Sequence, residues 1–354
     1  MPSDNKDKEL DLDQIALREA YKKVRGLGDR LPFLKGNINW GPFIPIVKSV
    51  FNDDDKIGGR PHTDEVVIVR AMVLQGLYGL SDEELEFQCN DRLSFRNFLG
   101  YPDKIPDFTT IWKIRERLQQ AGKDNLIWHE LQRQLTVMGF TIKKGVIQDA
   151  AFIEADQGKK RIQEEKKAEK EDRKIEYTEK QKAHIDKDGS FGVKGINIHF
   201  GYKIHVKSDI DNGLIRSVKV TTARVHDSKI NLVKKGDIAA YRDKAYVGTV
   251  LPKGVKDMTM LRAVRGRQLN GGQQKRNCKI SRVRSPGERP FSVIKRVFHG
   301  GNTFVKTLGR VRIKEIFKGF AYNIYTVFSL NITLSDSSGQ YPIQDVRDPT
   351  NNNN

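Results

Sequence analysis

Cysteine is nearly absent from this chain. Cys89 and Cys278 are the only two in 354 residues, far apart and without metal-site spacing. That excludes a Cys-based zinc site and fits a reducing compartment. No apolar run approaches the roughly 18 residues needed to span a bilayer. The opening MPSDNKDKELDLD is polar and lacks the apolar core of a secretory leader. A cytoplasmic protein without membrane contact is expected. Acid is scarce too, but only locally: from Lys244 to Lys314 eighteen Lys and Arg stand against two acids, Asp257 and Glu288. This stretch carries nearly all of the net charge of +18, so the basicity is concentrated rather than spread, as on a surface that meets a polyanion. Such a surface has no electrostatic use for Glu288 unless that acid does what a base cannot, such as holding a divalent cation.

The length suggests two domains with tails. The first third reads as helical. Thr63 is the expected cap of a helix ending at Gly79, and Ser81-Asp82-Glu83-Glu84 reads as a capping box opening a second helix. Pro106-Asp107-Phe108-Thr109 precedes one long amphipathic stretch from Ile111 to Val137. Helix, Gly-containing turn and helix also outlines a helix-turn-helix, with a packing or dimerisation bundle equally open. Arg60, Arg70, Arg92, Arg96, Lys113, Arg115 and Arg117 on its faces would suit phosphates, as they would suit any solvated helix.

Near residue 145 the apolar period changes from helical to two, dividing a helical N-terminal domain (1–140) from a second domain (141–334). GVIQDAAFIEA reads as a buried strand ending in Asp149. Ile198, Phe200, Tyr202, Ile204 and Val206 alternate with polar residues, and Asp211-Asn212-Gly213 turns the chain into LIRSVKVTT, giving a hairpin. A short helix over 227–234, a strand over 238–241 delivering Asp243, a strand over 257–264 and a helix after Ser285 follow. The charged segment 156–190 reads as a solvated insertion, and 335–354 as a disordered tail. Strand, hairpin, helix, strand, strand and helix is the order of an RNase H-like α/β fold, here a mixed five-stranded sheet with flanking helices behind an all-α N-terminal domain.

Asp149, Asp243 and Glu288 are the candidate catalytic carboxylates. Three carboxylates far apart in sequence can converge on two Mg²⁺ or Mn²⁺ ions, hard cations that prefer oxygen and that promote in-line displacement at phosphorus. Each also has a bland reading: Asp149 as a turn cap, Asp243 as an ion pair between Arg242 and Lys244, and Glu288 as a helix-opening residue. Pro290 favours a helix that starts near Arg289 and leaves Glu288 at its mouth. His205, His226, Asp227 and Asn323 read as structural: hydrogen-bonded histidines, a helix cap, and a cap on buried backbone.

Several motifs together resemble the DDE-type transposases of prokaryotic insertion sequences. They are LYGLSDEELE with LSFRNFLGY, IPDFTTIWKIRERL, IQDAAFIEA, DKDGSFGVKG with FGYKIH, TTARVHDS and YRDKAY. Arg284, Glu288 and Lys295 then reproduce the R-E-K spacing of the family signature. The similarity covers roughly 63–330. It departs at Ser281, where the signature has tyrosine, and at Ala245, where glycine is commoner. The resemblance implies cleavage and strand transfer at terminal inverted repeats, with target DNA as a second double-stranded partner. It also implies a homodimer or larger synaptic complex associated with the nucleoid. Arg284 and Lys295 would lie near terminal phosphates, with Arg289, Arg296 and Lys244 as further DNA-binding residues. A catalytically silent DNA-binding regulator and a nuclease without strand transfer are the alternatives.

Overall fold

The computed structural model describes residues 12–51, 62–156 and 185–338, and scattered positions between 158 and 179. Part of the charged segment, Arg60, and the tail beyond Ser338 lie outside the described residues.

Among the described residues eight α-helices precede the sheet: α1 (Leu12–Gly26), α2 (Leu31–Gly36), α3 (Ile44–Lys48), α4 (Glu65–Tyr78), α5 (Asp82–Asp91), α6 (Leu93–Leu99), α7 (Phe108–Gln120) and α8 (Asp124–Val137). Asp64, not Thr63, caps α4, accepting from the backbone N–H of Val66 at 2.7 Å and of Val67 at 3.1 Å. Its carboxylate also suits the positive end of the helix dipole. Gly79 ends α4 in the left-handed region (φ +65°), and a Cβ there would stand 2.5 Å from the carbonyl of Phe298. Ser81 caps α5 by accepting from Glu84 N–H at 3.0 Å. The stretch expected as one helix to Val137 is two. Gly122, at φ +66°, lies in the break between α7 and α8, where a continuing helix would need negative φ. Two of the arginines expected to face solvent do not. Arg115 is buried in a bidentate pair with Asp82, and Arg70 lies over the Trp40 ring at 5.1 Å.

The second half is a seven-stranded sheet: β1 (Val146–Ala155), β2 (Ser190–Lys194), β3 (Asn197–Asp209), β4 (Ile215–Thr222), β5 (Ala239–Arg242), β6 (Lys256–Thr259) and β7 (Asn302–Thr303). Five of these, in the order β4-β3-β1-β5-β6, are the strands expected of an RNase H-like sheet; β2 and β7 are short additions pairing with β3 and β1. β3 is antiparallel to β1, whereas β5 and β6 run parallel. Both faces of β3 are buried from Gly201 onward, so its polar residues need partners. Lys203 reaches Asp227 at 2.9 Å, Lys207 reaches Asp237 at 2.9 Å, and His205 shares a hydrogen with Thr221 at 2.9 Å.

Other expectations are corrected in this half. β1 does not stop at Asp149 but continues to Ala155, because its buried side chains persist on either side of that acid. The helix over 227–234 is a single 3₁₀ turn, Asp227–Lys229, with His226 rather than Asp227 as its cap. β6 covers four residues, not eight. A helix does begin at Arg289 with Glu288 at its mouth, but an unexpected one precedes it, α9 (Gly271–Arg284), opened by a reciprocal capping box between Asn270 and Gln273. It passes into a 3₁₀ turn (Ser285–Glu288), the short α10 (Arg289–Ser292) and a π turn (Val293–Val297). The tightened turn falls just ahead of Pro290, whose ring and missing N–H break the α pattern.

α11 (Leu308–Ser338) packs on both α4 and β4. Gly76 makes the crossing with α4 close, since a Cβ there would be 2.8 Å from the Phe317 carbonyl. One hydrophobic cluster therefore runs from Phe43, Leu74 and Phe98 of the helical part, through Phe317 and Phe320, to Ile204 and Ile215 of the sheet. Asn323 holds the β4 end of this contact, accepting from Ile215 N–H and donating to its carbonyl, both at 2.8 Å. No helix among the described residues is long and apolar enough to cross a membrane.

Candidate functional site

Parallel pairing of β1 with β5 sets Gln148 opposite Arg242. The next residues, Asp149 within β1 and Asp243 just past β5, thus follow this pair in phase, and strand alternation sends them to the same face. Beneath them Gln148 fixes the adjoining loop, donating to the Ile230 carbonyl at 2.7 Å and accepting from Leu232 N–H at 3.1 Å. Arg242 is fully buried and donates to Thr259 Oγ1 at 2.9 Å, so it belongs to the core rather than to a ligand surface. Asp243 accepts from the Ala245 N–H at 2.8 Å, which orients its carboxylate as the cap of the turn Lys244–Tyr246.

Asp149 sits in a field of opposing effects. Burial raises its carboxyl above the usual range; the Arg284 guanidinium and the Ala150 N–H pull it down, Asp243 pushes it up again, and Lys194 pulls it down. The net direction is upward. A half-buried carboxylate with a like-charged neighbour is where added positive charge stabilises most, and Arg284 supplies some. Its Nη2 donates to Asp149 Oδ2 at 2.9 Å, and its Nη1 lies 3.7 Å from Met260 Sδ.

The chain segment of Glu288 comes to β1 through Gly287. A Cβ at Gly287 would be 2.5 Å from Ile147 Cγ2, so only glycine lets this turn lie against the strand that carries Asp149. Glu288 itself is exposed, and among the described residues no three His, Cys, Asp or Glu side chains stand close enough to hold a metal ion. Asp149 and Asp243 are near enough to act on each other electrostatically, and Glu288 does not complete a group of three with them. Carboxylate oxygens at all three expected positions suit Mg²⁺ or Mn²⁺ in chemistry.

Lys244, Arg289, Lys295 and Arg296 are exposed. The segment between Glu288 and Lys295 runs from the short α10 into a π turn, so the two do not keep regular α-helical phase. Lys295 lies instead toward Glu154, further along β1, and toward Lys194. Partial burial and then the Lys194 charge hold it below the usual lysine range, against Glu154 and Glu315. Lys194 was not singled out in the sequence; its only signal is a lone base in the exposed turn of GVKG. The four structural readings hold in part: His205 is hydrogen-bonded, His226 caps a turn through Ser228, Asn323 pairs with buried backbone, and Asp227 pairs with Lys203 instead of capping.

Residues 141–324 match the family described as Transposase DDE domain, and residues 18–117 match the family described as Transposase domain (DUF772). No solved structure matches the chain.

Proposed function

The chain belongs to the DDE-domain transposases, and from this and the geometry of β1 and β5 we propose that it cuts and joins DNA strands at the terminal inverted repeats of an insertion sequence. The observation that carries the reading is that Asp149, within β1, and Asp243, just past β5, each follow the paired residues Gln148 and Arg242 of adjacent parallel strands, with Glu288 on a turn packed against Ile147. These three carboxylates would hold Mg²⁺ or Mn²⁺, two ions in the proposed arrangement, which when bound would activate the attacking oxygen and stabilise the leaving one.

The chain's own residues do the rest. The Ala245 N–H keeps the Asp243 carboxylate aimed from the end of β5. Arg284, released from Asp149, would fork a phosphate oxygen pair beside the carboxylates. Lys295, Arg289, Arg296 and Lys244 would grip flanking phosphates, so binding should weaken steeply with salt. A homodimer or larger assembly would bring two DNA ends together.

The test incubates purified protein with duplexes carrying the ends of its element and Mg²⁺ or Mn²⁺, beside Asp149→Ala, Asp243→Ala and Glu288→Ala. Cleavage and joined products should appear with the wild type alone. Binding without cleavage above the variants would leave a silent DNA-binding regulator; cleavage without joined products would leave a simple nuclease.

A further inference from the structure

The β2–β3 hairpin ends in a bare apolar point. Lys194 pairs with Asn197 across the two-residue loop Gly195-Ile196. Gly195 takes φ +63°, the positive value that a type II′ turn requires at its first position, so the loop is tight and matched to strand twist. Ile196 stands at the apex, 97% exposed. One face of the hairpin continues the apolar surface: Val193 and Ile198, directly opposite each other, are both largely exposed, and Phe191 is half exposed with its ring 5.0 Å from that of Phe200.

The stem below this point is fixed. Gly192 is pressed so closely to β1 and the end of β4 that a Cβ would lie 2.6 Å from both the Ala223 carbonyl and the Phe152 ring. Ser190 Oγ accepts from Arg224 N–H at 3.0 Å, and His199 stacks on Phe152 at 4.3 Å while pairing with Glu154. A rigid stem carrying solvent-exposed Phe, Val and two Ile side chains is the form of a surface with an occupant, since soluble chains seldom leave such apolar patches bare.

Charge indicates which occupant. From Ser190 to Ile198 the only charged residue is Lys194, which acts electrostatically on both Asp149 and Lys295 and so faces the carboxylate site. The excess of Lys and Arg over residues 244–314, with Arg289 and Arg296 exposed, gives the chain a strongly positive field. A second copy would bring that field with it and be repelled; DNA would not. We propose that the hairpin tip is a wedge for DNA, in which Ile196 enters between base pairs beside the Asp149–Asp243 site and Lys194 holds the adjoining phosphate. Aliphatic side chains inserted at a base step unstack it and kink the duplex. The opened step would free one strand to lie along β1 and β5. This rests on the reading of the site as one that acts on DNA.

The experiment uses the full chain and a duplex carrying the element end, with 2-aminopurine placed in turn at the steps flanking the cut. Wild-type binding should raise the fluorescence severalfold at one step. Ile196→Ser should abolish the rise, and Ile196→Leu should keep it, while affinity by anisotropy changes by less than about threefold because phosphate contacts dominate binding. Lys194→Ala should weaken binding and reduce the salt slope by about one. Because Ile196 is exposed, equal thermal melts of wild type and variants serve as the folding control. An unchanged fluorescence rise in Ile196→Ser, or no rise with a wild type that cuts the duplex, overturns the wedge alone. A wild type that neither binds nor cuts overturns the wedge together with the DNA reading. A shift of DNA-free Ile196→Ser to a smaller species in sedimentation assigns the tip to contact between copies and also overturns it.

Discussion

Arg284 Nη2 and Asp149 Oδ2 lie 2.9 Å apart, joining the proposed phosphate clamp to the proposed metal ligand in the DNA-free protein. The pair is poorly exposed on both sides, so solvent screens it less than a surface pair. Arg284 cannot serve both this carboxylate and a phosphate fully, and the carboxylate cannot serve both Arg284 and a cation. Substrate and metal are thereby expected to exchange partners together.

Arg284→Gln removes the guanidinium that competes for Asp149. Mn²⁺ binding to the DNA-free protein, followed by calorimetry, should tighten by about tenfold, or ~1.4 kcal/mol. Cleavage of end duplexes should fall at the same time. Weaker Mn²⁺ binding in the variant would show that the pair prepares the site instead of competing for it.

Gly287→Ala drives a methyl group into Ile147, a stiff β-branched side chain that is itself buried. Overpacking of this kind costs about 1–3 kcal/mol, and the turn bearing Glu288 should lift from β1. End cleavage is expected to drop by at least an order of magnitude, more than the stability loss alone accounts for. The double variant with Ile147→Ala opens the needed space and should recover part of both; its failure to do so would detach Glu288 placement from this contact.

His205 is buried, and burial lowers its imidazole from the ordinary value to about 4. The folded state therefore binds this proton less readily than the unfolded one. Stability from this group is complete above about pH 6.5 and is lost as pH falls toward 4, on the order of 3 kcal/mol across the window. Urea midpoints at pH 7.5, 6.0, 5.0 and 4.5 should trace that loss. His205→Gln, whatever its absolute stability, should flatten the slope; an identical slope would place the titrating group elsewhere.

Asp82 is the counter-ion of buried Arg115, accepting two hydrogen bonds at 2.6 Å, and Lys314 lies 4.0 Å away. Burial would raise its carboxyl, but Arg115, Lys314 and Gln75 outweigh burial and hold it at about 2. Its contribution is thus intact above pH ~4 and is lost as pH drops through about 2. Asp82→Asn leaves two buried cations facing each other and should cost about 3–5 kcal/mol at neutral pH. A denaturation midpoint within 0.5 kcal/mol of wild type would contradict this account.

The sequence pattern made certain features legible because their causes are local. Alternation announced β3, Asp211-Asn212-Gly213 announced its turn, Gly79 ended α4, and Ser81 opened α5. Other features depend on partners distant in the chain. Asp149 interrupts apolar sequence but not backbone pairing, so β1 looked shorter than it is. α9 buries only Ile280 and shows almost no apolar stripe to find. Nothing in RVRSPGE indicates that Arg284 turns to Asp149, a contact across 135 positions, or that Gly287 must meet Ile147. Gly122, by contrast, is a local break signal that the helical spacing of the apolar residues on both sides masks.

The seam of Gly76 against Phe317 fastens α4 to the helix that also roofs β4. If the helical part also holds DNA, its grip and a strand lying at Asp149 would be separated by a span set by rigid packing, not by a tether. The number of base pairs between the held site and the cut would then be built into the fold, as in a caliper, and an insertion in the DNA between them should not be absorbed by the protein.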